Sequence, residues 1–431
     1  MSELGITALL IASLFLILGS GVWIGLTLTG VAWIAMELFS SRPAGDAMAV
    51  TIWGSSSSWT LTALPLFIWM GEILFRTKLS ESMFKGLAPW VNWLPGRLLH
   101  TNVIGCTIFA AGSGSSADHC STLGKMTLPE LTNRGYPQDQ IIGSLAGAGT
   151  LGLLIPPSII MIVYGVTAEV SISQLFVAGV LPGLLLASLF SGYIIVWSLL
   201  NPGKIPPTTE QFTLVQKLYE SRHLIPVVGL IGAVLGSIYA GLATATEAAA
   251  VGVIGSFVLS ALQRSLNWGT FKEALMGATR LYCMIALILA GASFLTLSMG
   301  YIGLPRHLAE YVTSLGLSPF LLVLVLTVFY IVLGCFLDGI SMVVLTMGVI
   351  LPTVQAAHID LIWFGIFIVV VVEMAQITPP VGFNLFVLQG MTRKEITYIA
   401  RVTLPFFILM FGMVLALWYF PQIATWLPGK M

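Results

Sequence analysis

Charge is what this sequence has least of. Of its 431 residues only 8% are charged, where an ordinary soluble domain carries roughly a quarter. So few charges cannot cover a water-facing surface, which excludes a soluble globular enzyme. Neither sign is in excess either: 18 basic and 18 acidic residues give a formal net charge of zero. A nucleic-acid partner, which would need a basic face, is thereby excluded. The five histidines are scattered, and the four cysteines (Cys106, Cys120, Cys283 and Cys335) sit in or beside apolar stretches without metal-ligand spacing. They read as small apolar fillers at helix contacts. The start, Met1-Ser2-Glu3, lacks the basic flank of a cleaved signal, so the first apolar segment is expected to stay in the membrane. What the chain has in quantity is apolar: 57% hydrophobic residues and a mean hydropathy of +0.97. These numbers predict a polytopic membrane protein.

A bilayer-spanning helix needs about 20 mostly apolar residues. Ten stretches qualify, near 5–20, 22–40, 58–75, 138–166, 172–200, 223–241, 246–262, 280–299, 361–390 and 395–420. Two more, about 98–132 and 318–356, are interrupted by small polar clusters, Gly112-Ser113-Gly114-Ser115-Ser116-Ala117-Asp118 and Leu337-Asp338-Gly339-Ile340-Ser341. Their halves are roughly 15 to 19 residues long, short for a crossing, which predicts a re-entrant hairpin at each. Non-helical backbone at membrane depth is tolerated where it lines a protein cavity, so both breaks are candidate sites.

Basic residues agree with this layout, because short cytoplasmic loops collect Lys and Arg. Arg76, Lys78, Lys85 and Arg97 lie in 76–97, and Arg134 follows the first hairpin. Lys204, Lys217 and Arg222 lie in 201–222, Arg264 and Lys272 in 263–279, and Arg393-Lys394 follows 361–390. The loops at 167–171, 242–245 and 357–360 contain none. The alternation requires both hairpins to re-enter, and it puts both termini outside. Arg42, Arg306 and Lys430 fall on the outer side against the pattern.

Landmarks recur at one offset. Pro129 and Pro352, Pro156-Pro157 and Pro379-Pro380, and Leu181-Pro182 and Leu404-Pro405 are each 223 residues apart (352 − 129), as are Ser115 and Asp338. Each copy would hold five crossings and a hairpin, and an odd number inverts the second copy. The fold class expected is therefore all-α integral membrane, an inverted repeat of five transmembrane helices plus a re-entrant hairpin each. Residues 1–200 would form the first repeat, 201–222 a cytoplasmic linker and 223–431 the second repeat. Such repeats are the architecture of many secondary transporters, with the site at mid-membrane where broken helices meet. Both Pro-Pro pairs interrupt the helix after a hairpin. Proline removes an amide donor and frees carbonyl oxygens, which with Ser and Thr hydroxyls are hard ligands for a small cation.

At these residues a family resemblance becomes specific. Gly112-Ser113-Gly114-Ser115-Ser116-Ala117 and Gly147-Ala148-Gly149-Thr150-Leu151-Gly152-Leu153-Leu154-Ile155-Pro156-Pro157-Ser158 resemble the large membrane (M) subunit of TRAP transporters. So do Ala243-Thr244-Ala245-Thr246-Glu247-Ala248-Ala249-Ala250, the tip Leu337–Ser341 and the stretch Ile377–Phe386, in the family's order and over essentially the whole chain. The resemblance implies a sodium-driven, elevator-type importer of a small organic acid (a carboxylate or sulfonate) in the bacterial inner membrane. It also implies two protein partners, a small four-helix membrane subunit and a periplasmic substrate-binding protein. No extra N-terminal helices supply the small subunit, so a separate polypeptide is expected. One departure is His119-Cys120, where the family usually has small residues; it leaves the chemistry of that hairpin arm open.

With Na⁺ as the driving ion, one candidate set is Ser113, Ser115 and Ser116 with backbone around Gly149 and Thr150. Its counterpart is Asp338, Gly339 and Ser341 with backbone around Thr378. Ser158 and Asn384, just past the Pro-Pro pairs, are candidates for substrate contact, as are Ser113 and Asp338. Small serines also serve close helix packing, and that reading stands beside each. Asp338 at mid-membrane calls for a bound cation as partner; Asp118, Glu247 and Glu373 pose the same question, and Glu247 reads more simply as a helix cap. Glu72 could pair with a basic residue of the following arm. Arg306 lies in 301–316, the offset counterpart of the inner arm 78–93, where Trp90, Trp93 and Lys85, with Arg97 just beyond, suit an interfacial helix. Arg306 would brace the scaffold likewise, or else pair with a substrate carboxylate.

Two rival functions remain to weigh. Gly112-Ser113-Gly114 near His119 invites a membrane serine hydrolase, but a nucleophile needs an oriented base within reach, and the second copy has no matching pair. A single-component carboxylate or ion exchanger would share the repeat and need no soluble binder.

Overall fold

The computed structural model describes residues 3–77, 86–207, 213–314, 316–380 and 382–431, and among them every regular element is helical. In the N-terminal half the chain runs through α1 (Glu3–Gly19), α2 (Ile24–Phe39), α3 (Ala44–Ser56) and α4 (Ala63–Arg76). Then come α5 (His100–Ser113), α6 (Ser116–Asn133), α7 (Gln138–Gly149), the short α8 (Leu151–Leu154), α9 (Ile159–Thr167) and α10 (Ile172–Leu200). After α11 (Leu214–Ser221), the C-terminal half holds α12 (Ile225–Tyr239), α13 (Ala245–Leu262), α14 (Trp268–Ile302) and α15 (Leu304–Ser314). It ends with α16 (Pro319–Leu333), α17 (Gly339–Ala356), α18 (Leu361–Gln376), α19 (Phe383–Thr392), α20 (Ile396–Tyr419) and α21 (Gln422–Thr425).

The 223-residue offset extends from motifs to helix bounds. α6 and α17 are both 18 residues long and start 223 apart (339 − 116), as do α7 and α18. Both Pro-Pro bonds are cis. Packing exchanges partners in the same sense: α2 lies on α14, while α13 lies on α4. The α2–α14 contact is backbone-close, since a Cβ on Gly291 would stand 2.3 Å from the Gly25 carbonyl oxygen. Glycine is what lets the two helices approach.

Both interrupted stretches turn back on themselves. Tyr330 of α16 is hydrogen-bonded to Thr346 of α17, 2.5 Å between hydroxyls. Sixteen residues of straight helix would put these about 24 Å apart. In the first stretch, a Cβ on Gly105 of α5 would meet Leu123 of α6 at 3.3 Å. The two helices that follow the hairpins form the centre of the molecule. Every described residue from Gln140 to Tyr164 is buried, and so is all of α18 from Trp363 to Gln376. A helix apolar on all sides belongs inside protein.

Several boundaries differ from the sequence-based expectation. Residues 44–56 are helical, not loop, and α3 is bent by 57° from the helical turn and α4 that follow it, a pair apolar enough together to count as one broken span. The polar run Thr51–Ser58 hid it. The segment read as loop 263–279 instead opens α14, a single 35-residue helix capped by Asn267. Its polar start is anchored: Arg76 is 3.4 Å from Glu273, and Phe271 lies edge-on to Trp69. The linker 201–222 contains α11, bent by 59° from α12. Among the described residues six helices qualify as spans by length and apolarity, or eight counting each bent pair once, α17 among the six; four apolar helices are shorter, including α18. Of the arm 78–93, residues 86–91 are helical, and Lys78 and Lys85 lie outside the described residues.

Candidate functional site

The first hairpin tip is built against the first proline break. α5 ends in Gly114, whose φ of +63° no β-branched residue would accept. A Cβ there would meet the Pro157 carbonyl oxygen at 2.8 Å and the Ile159 amide at 2.9 Å. Beyond it, Ser116 opens α6 and is the hub of a buried polar cluster. Its hydroxyl lies 3.1 Å from the Gly149 carbonyl oxygen and 3.0 Å from Glu373 Oε2. It accepts a 2.7 Å hydrogen bond from Asn384 Nδ2. The other Glu373 oxygen accepts from the Leu153 amide at 3.1 Å. Glu373 is 1% exposed and Asn384 fully buried, and the Asn384 side-chain oxygen has no hydrogen-bond partner. A buried carbonyl oxygen left open is costly unless a ligand supplies its partner.

The second tip is organised differently. Asp338 caps α17, its carboxylate accepting from the Ile340 and Ser341 amides at 3.1 and 3.2 Å and from the Ser341 hydroxyl. Thr378 donates to the Met374 carbonyl at 2.7 Å, and the Cys335 thiol lies 3.5 Å from the Pro379 carbonyl oxygen. A Cβ on Gly339 would meet Gln376 at 3.0 Å and Ile160 at 3.1 Å. Ile160 belongs to α9, beside the residues that Gly114 touches. Both hairpin tips and both Pro-Pro breaks therefore converge on one region. The available oxygens are those of hydroxyls, carbonyls and two carboxyls, Glu373 and Asp338. Among the described residues no group of three His, Cys, Asp or Glu could hold a metal.

Of the residues singled out in the sequence, the structure brings Ser116, Gly149 and Asn384 into one cluster. Thr150 is buried beside it, donating to the Gly147 carbonyl at 2.5 Å. Ser115 is half-buried at the N-cap of α6 without a side-chain cap bond, and the Ser113 side chain lies outside the described residues. Ser158 caps α9 through the Met161 amide. Asp338, Gly339, Ser341 and Thr378 form the second group. Arg306 joins neither: it is 81% exposed on α15 and ion-paired with Glu310 at 2.8 Å. That hydrogen bond from Arg306 holds the Glu310 carboxyl below the usual range. Glu247 forms a capping box with Thr244, and Glu72 pairs with Arg76 at 2.7 Å. Glu373 is the central residue that sequence patterns undervalue. Its signal was a carboxyl inside an otherwise apolar run, six residues before Pro379.

One cavity of about 980 Å³ opens away from these breaks. It is lined by the α9–α10 turn and by residues of α3, α13, α14 and α17, and its wall carries many hydroxyls, including Ser55, Ser171 and Thr296.

Comparison with known proteins places this geometry. The family model described as "Tripartite ATP-independent periplasmic transporter, DctM component" matches residues 9–423. The C4-dicarboxylate TRAP transporter large permease protein DctM of Pseudomonas aeruginosa is 31% identical over 89% of this chain and 89% of its own length. The isethionate TRAP transporter permease protein DctMQ of Oleidesulfovibrio alaskensis is 31% identical over 97% of this chain, which spans 65% of that protein. Among solved structures, the Alcanivorax borkumensis YdaH transporter superposes with a TM-score of 0.70 at 15% identity, covering 93% of this chain and 97% of that one. The last likeness is one of fold.

Proposed function

We propose, from the fact that this chain belongs to the DctM component family of tripartite ATP-independent periplasmic transporters, that it is the sodium-coupled large subunit of a binding-protein-dependent importer of a small organic acid. The family makes it a multi-pass membrane transporter component and not an enzyme. Sodium enters this reading as cargo that moves with the substrate.

The observation that carries the reading is the convergence of both proline breaks and both hairpin tips on buried oxygen donors. Ser116, Gly149 and Asn384 supply one set, in which the buried Asn384 side-chain oxygen has no protein hydrogen-bond partner. Asp338 and Ser341 supply oxygens at the other tip. Such helix breaks hold coupling ions in other secondary transporters. The repeat, with five crossings and a hairpin in each copy, would set the two halves in opposite orientation, with 201–222 on the cytoplasmic side of a bacterial inner membrane. The central body carrying α7–α9, α18 and the hairpins would then slide against a frame of α2, α4, α13 and α14 in an elevator motion. The relatives' names give C4-dicarboxylate and isethionate as their cargo, which supports a small anionic acid here. The partners in this reading are a small four-helix membrane subunit and a periplasmic binding protein that delivers the acid.

Reconstitution tests it. Uptake into proteoliposomes should need an inward sodium gradient, the small subunit and the loaded binding protein. Full uptake without sodium or without the binder would sink the reading.

A further inference from the structure

The residues that fix the first hairpin tip come from the far half of the chain. Glu373 and Asn384 reach Ser116 across sequence separations of 257 and 268 residues. We propose that Glu373 is a positioning residue for the first break. Its two oxygens hold the Ser116 hydroxyl and the Leu153 amide at a fixed spacing, and so hold the tip against the backbone at 149–153. The inference rests on the proposed function for what the break binds, but not for the geometry.

Hydrogen-bond accounting says which property of Glu373 matters. A hydroxyl has one hydrogen and two acceptor sites. Ser116 accepts from Asn384 at 2.7 Å and has the Gly149 carbonyl and Glu373 both within 3.1 Å. A glutamine at 373 would meet every contact: its Nε2 donates to Ser116, Ser116 gives its hydrogen to Gly149, and its Oε1 accepts from Leu153. An alanine meets none, leaving a buried amide and a loosened hydroxyl. The charge of Glu373 is therefore dispensable, and its shape and hydrogen bonding are not. The packing around the cluster reports on it directly. A Cβ on Gly149 would stand 2.2 Å from the Cys120 sulfur, and Cys120 is fully buried, so a tip that drifts from 149–153 uncovers that thiol.

The experiment compares Glu373→Gln and Glu373→Ala in a Cys283→Ser, Cys335→Ser background, purified in detergent. Two readouts are taken: the NaCl concentration giving half-maximal thermal stabilisation against choline chloride, and the N-ethylmaleimide labelling rate of Cys120, mapped by peptide mass. E373Q should stay within about twofold of the parent on both, and E373A should shift both by about tenfold. A glutamine variant that folds yet is as damaged as the alanine variant overturns the proposal, because charge would then be the requirement. So does an alanine variant that leaves both readouts unchanged. Should E373A not fold, Ser116→Ala takes its place. It should raise Cys120 labelling by itself, and adding E373Q should change nothing further; an additional loss overturns the proposal. If sodium stabilises not even the parent, the proposed function fails, and Cys120 labelling alone decides the role of Glu373.

Discussion

The two hairpin tips share an offset and a shape, yet they are held by different means. The second is self-sufficient: Asp338 caps its own helix through the amides of Ile340 and Ser341. The first has Ser115 at the same position, without a cap bond, and is instead braced by Glu373 and Asn384 from the other half of the chain. Burial follows suit. Leu151–Ile160 is buried throughout, whereas Pro379, Pro380 and Phe383 at the second break are exposed. A locally capped tip can change its surroundings without losing its own structure. A tip closed by distant residues keeps its geometry only while the two halves stay together. Two copies of one pattern are thus held in place by different means, one by its own cap and one by residues of the other half.

Breaking that contrast gives the largest expected effect. Asp338→Ala removes the local cap and an oxygen donor together, so sodium-driven uptake in proteoliposomes should fall to background. Thermal unfolding should show a loss of about 0.5–2 kcal/mol from the cap alone. Ser115→Ala, at the matching position, should change stability by less than about 0.5 kcal/mol. A wild-type sodium response in D338A would remove Asp338 from the site. Gly149→Ala comes next. Its Cβ would sit 2.2 Å from the Cys120 sulfur, an overpacking that costs about 1–3 kcal/mol. Cys120→Ala in the same chain should restore much of the unfolding temperature. At the open side, a Cβ on Gly390 of α19 would meet nothing within 4 Å. Gly390→Ala should be neutral or stabilise by up to about 1 kcal/mol, and a loss there would mean that this end of α19 is packed rather than open. Arg306→Ala is smallest. An exposed pair with Glu310 contributes little, so neither unfolding temperature nor the substrate KM for uptake should move. A raised KM would make Arg306 a substrate contact after all.

Much of this contrast was legible in the sequence, because its causes are local. Pro-Pro pairs, Gly-Ser clusters and the 223-residue offset are read directly, and the Thr244–Glu247 cap follows from spacing alone. Arg306 also had its partner in sight, one helical turn away at Glu310. What stayed hidden depends on contacts between distant segments. α3 is too short and too polar to pass as a span by itself and does so only when joined to the helix that follows it. The start of α14 looks like a charged loop until Glu273 meets Arg76 and Phe271 meets Trp69. Glu373 looked like one of several buried carboxyls, since Ser116 and Leu153 lie 257 and 220 residues away. Periodicity and capping rules act over a few residues. No local rule reaches that far.

The proposed sliding of a central body against its frame is tested most directly at the cavity of about 980 Å³ that elements of both line. Ser55 on the α3 side and Ser171 on the α9–α10 turn both line it. Cysteines placed at these two positions, in a Cys283→Ser, Cys335→Ser background, are cross-linked with bis-maleimides of graded length, with each single cysteine modified as the control. The predicted result is that the bridged protein loses sodium-driven uptake while both singly modified proteins retain it. Full uptake by the bridged protein would contradict a moving body.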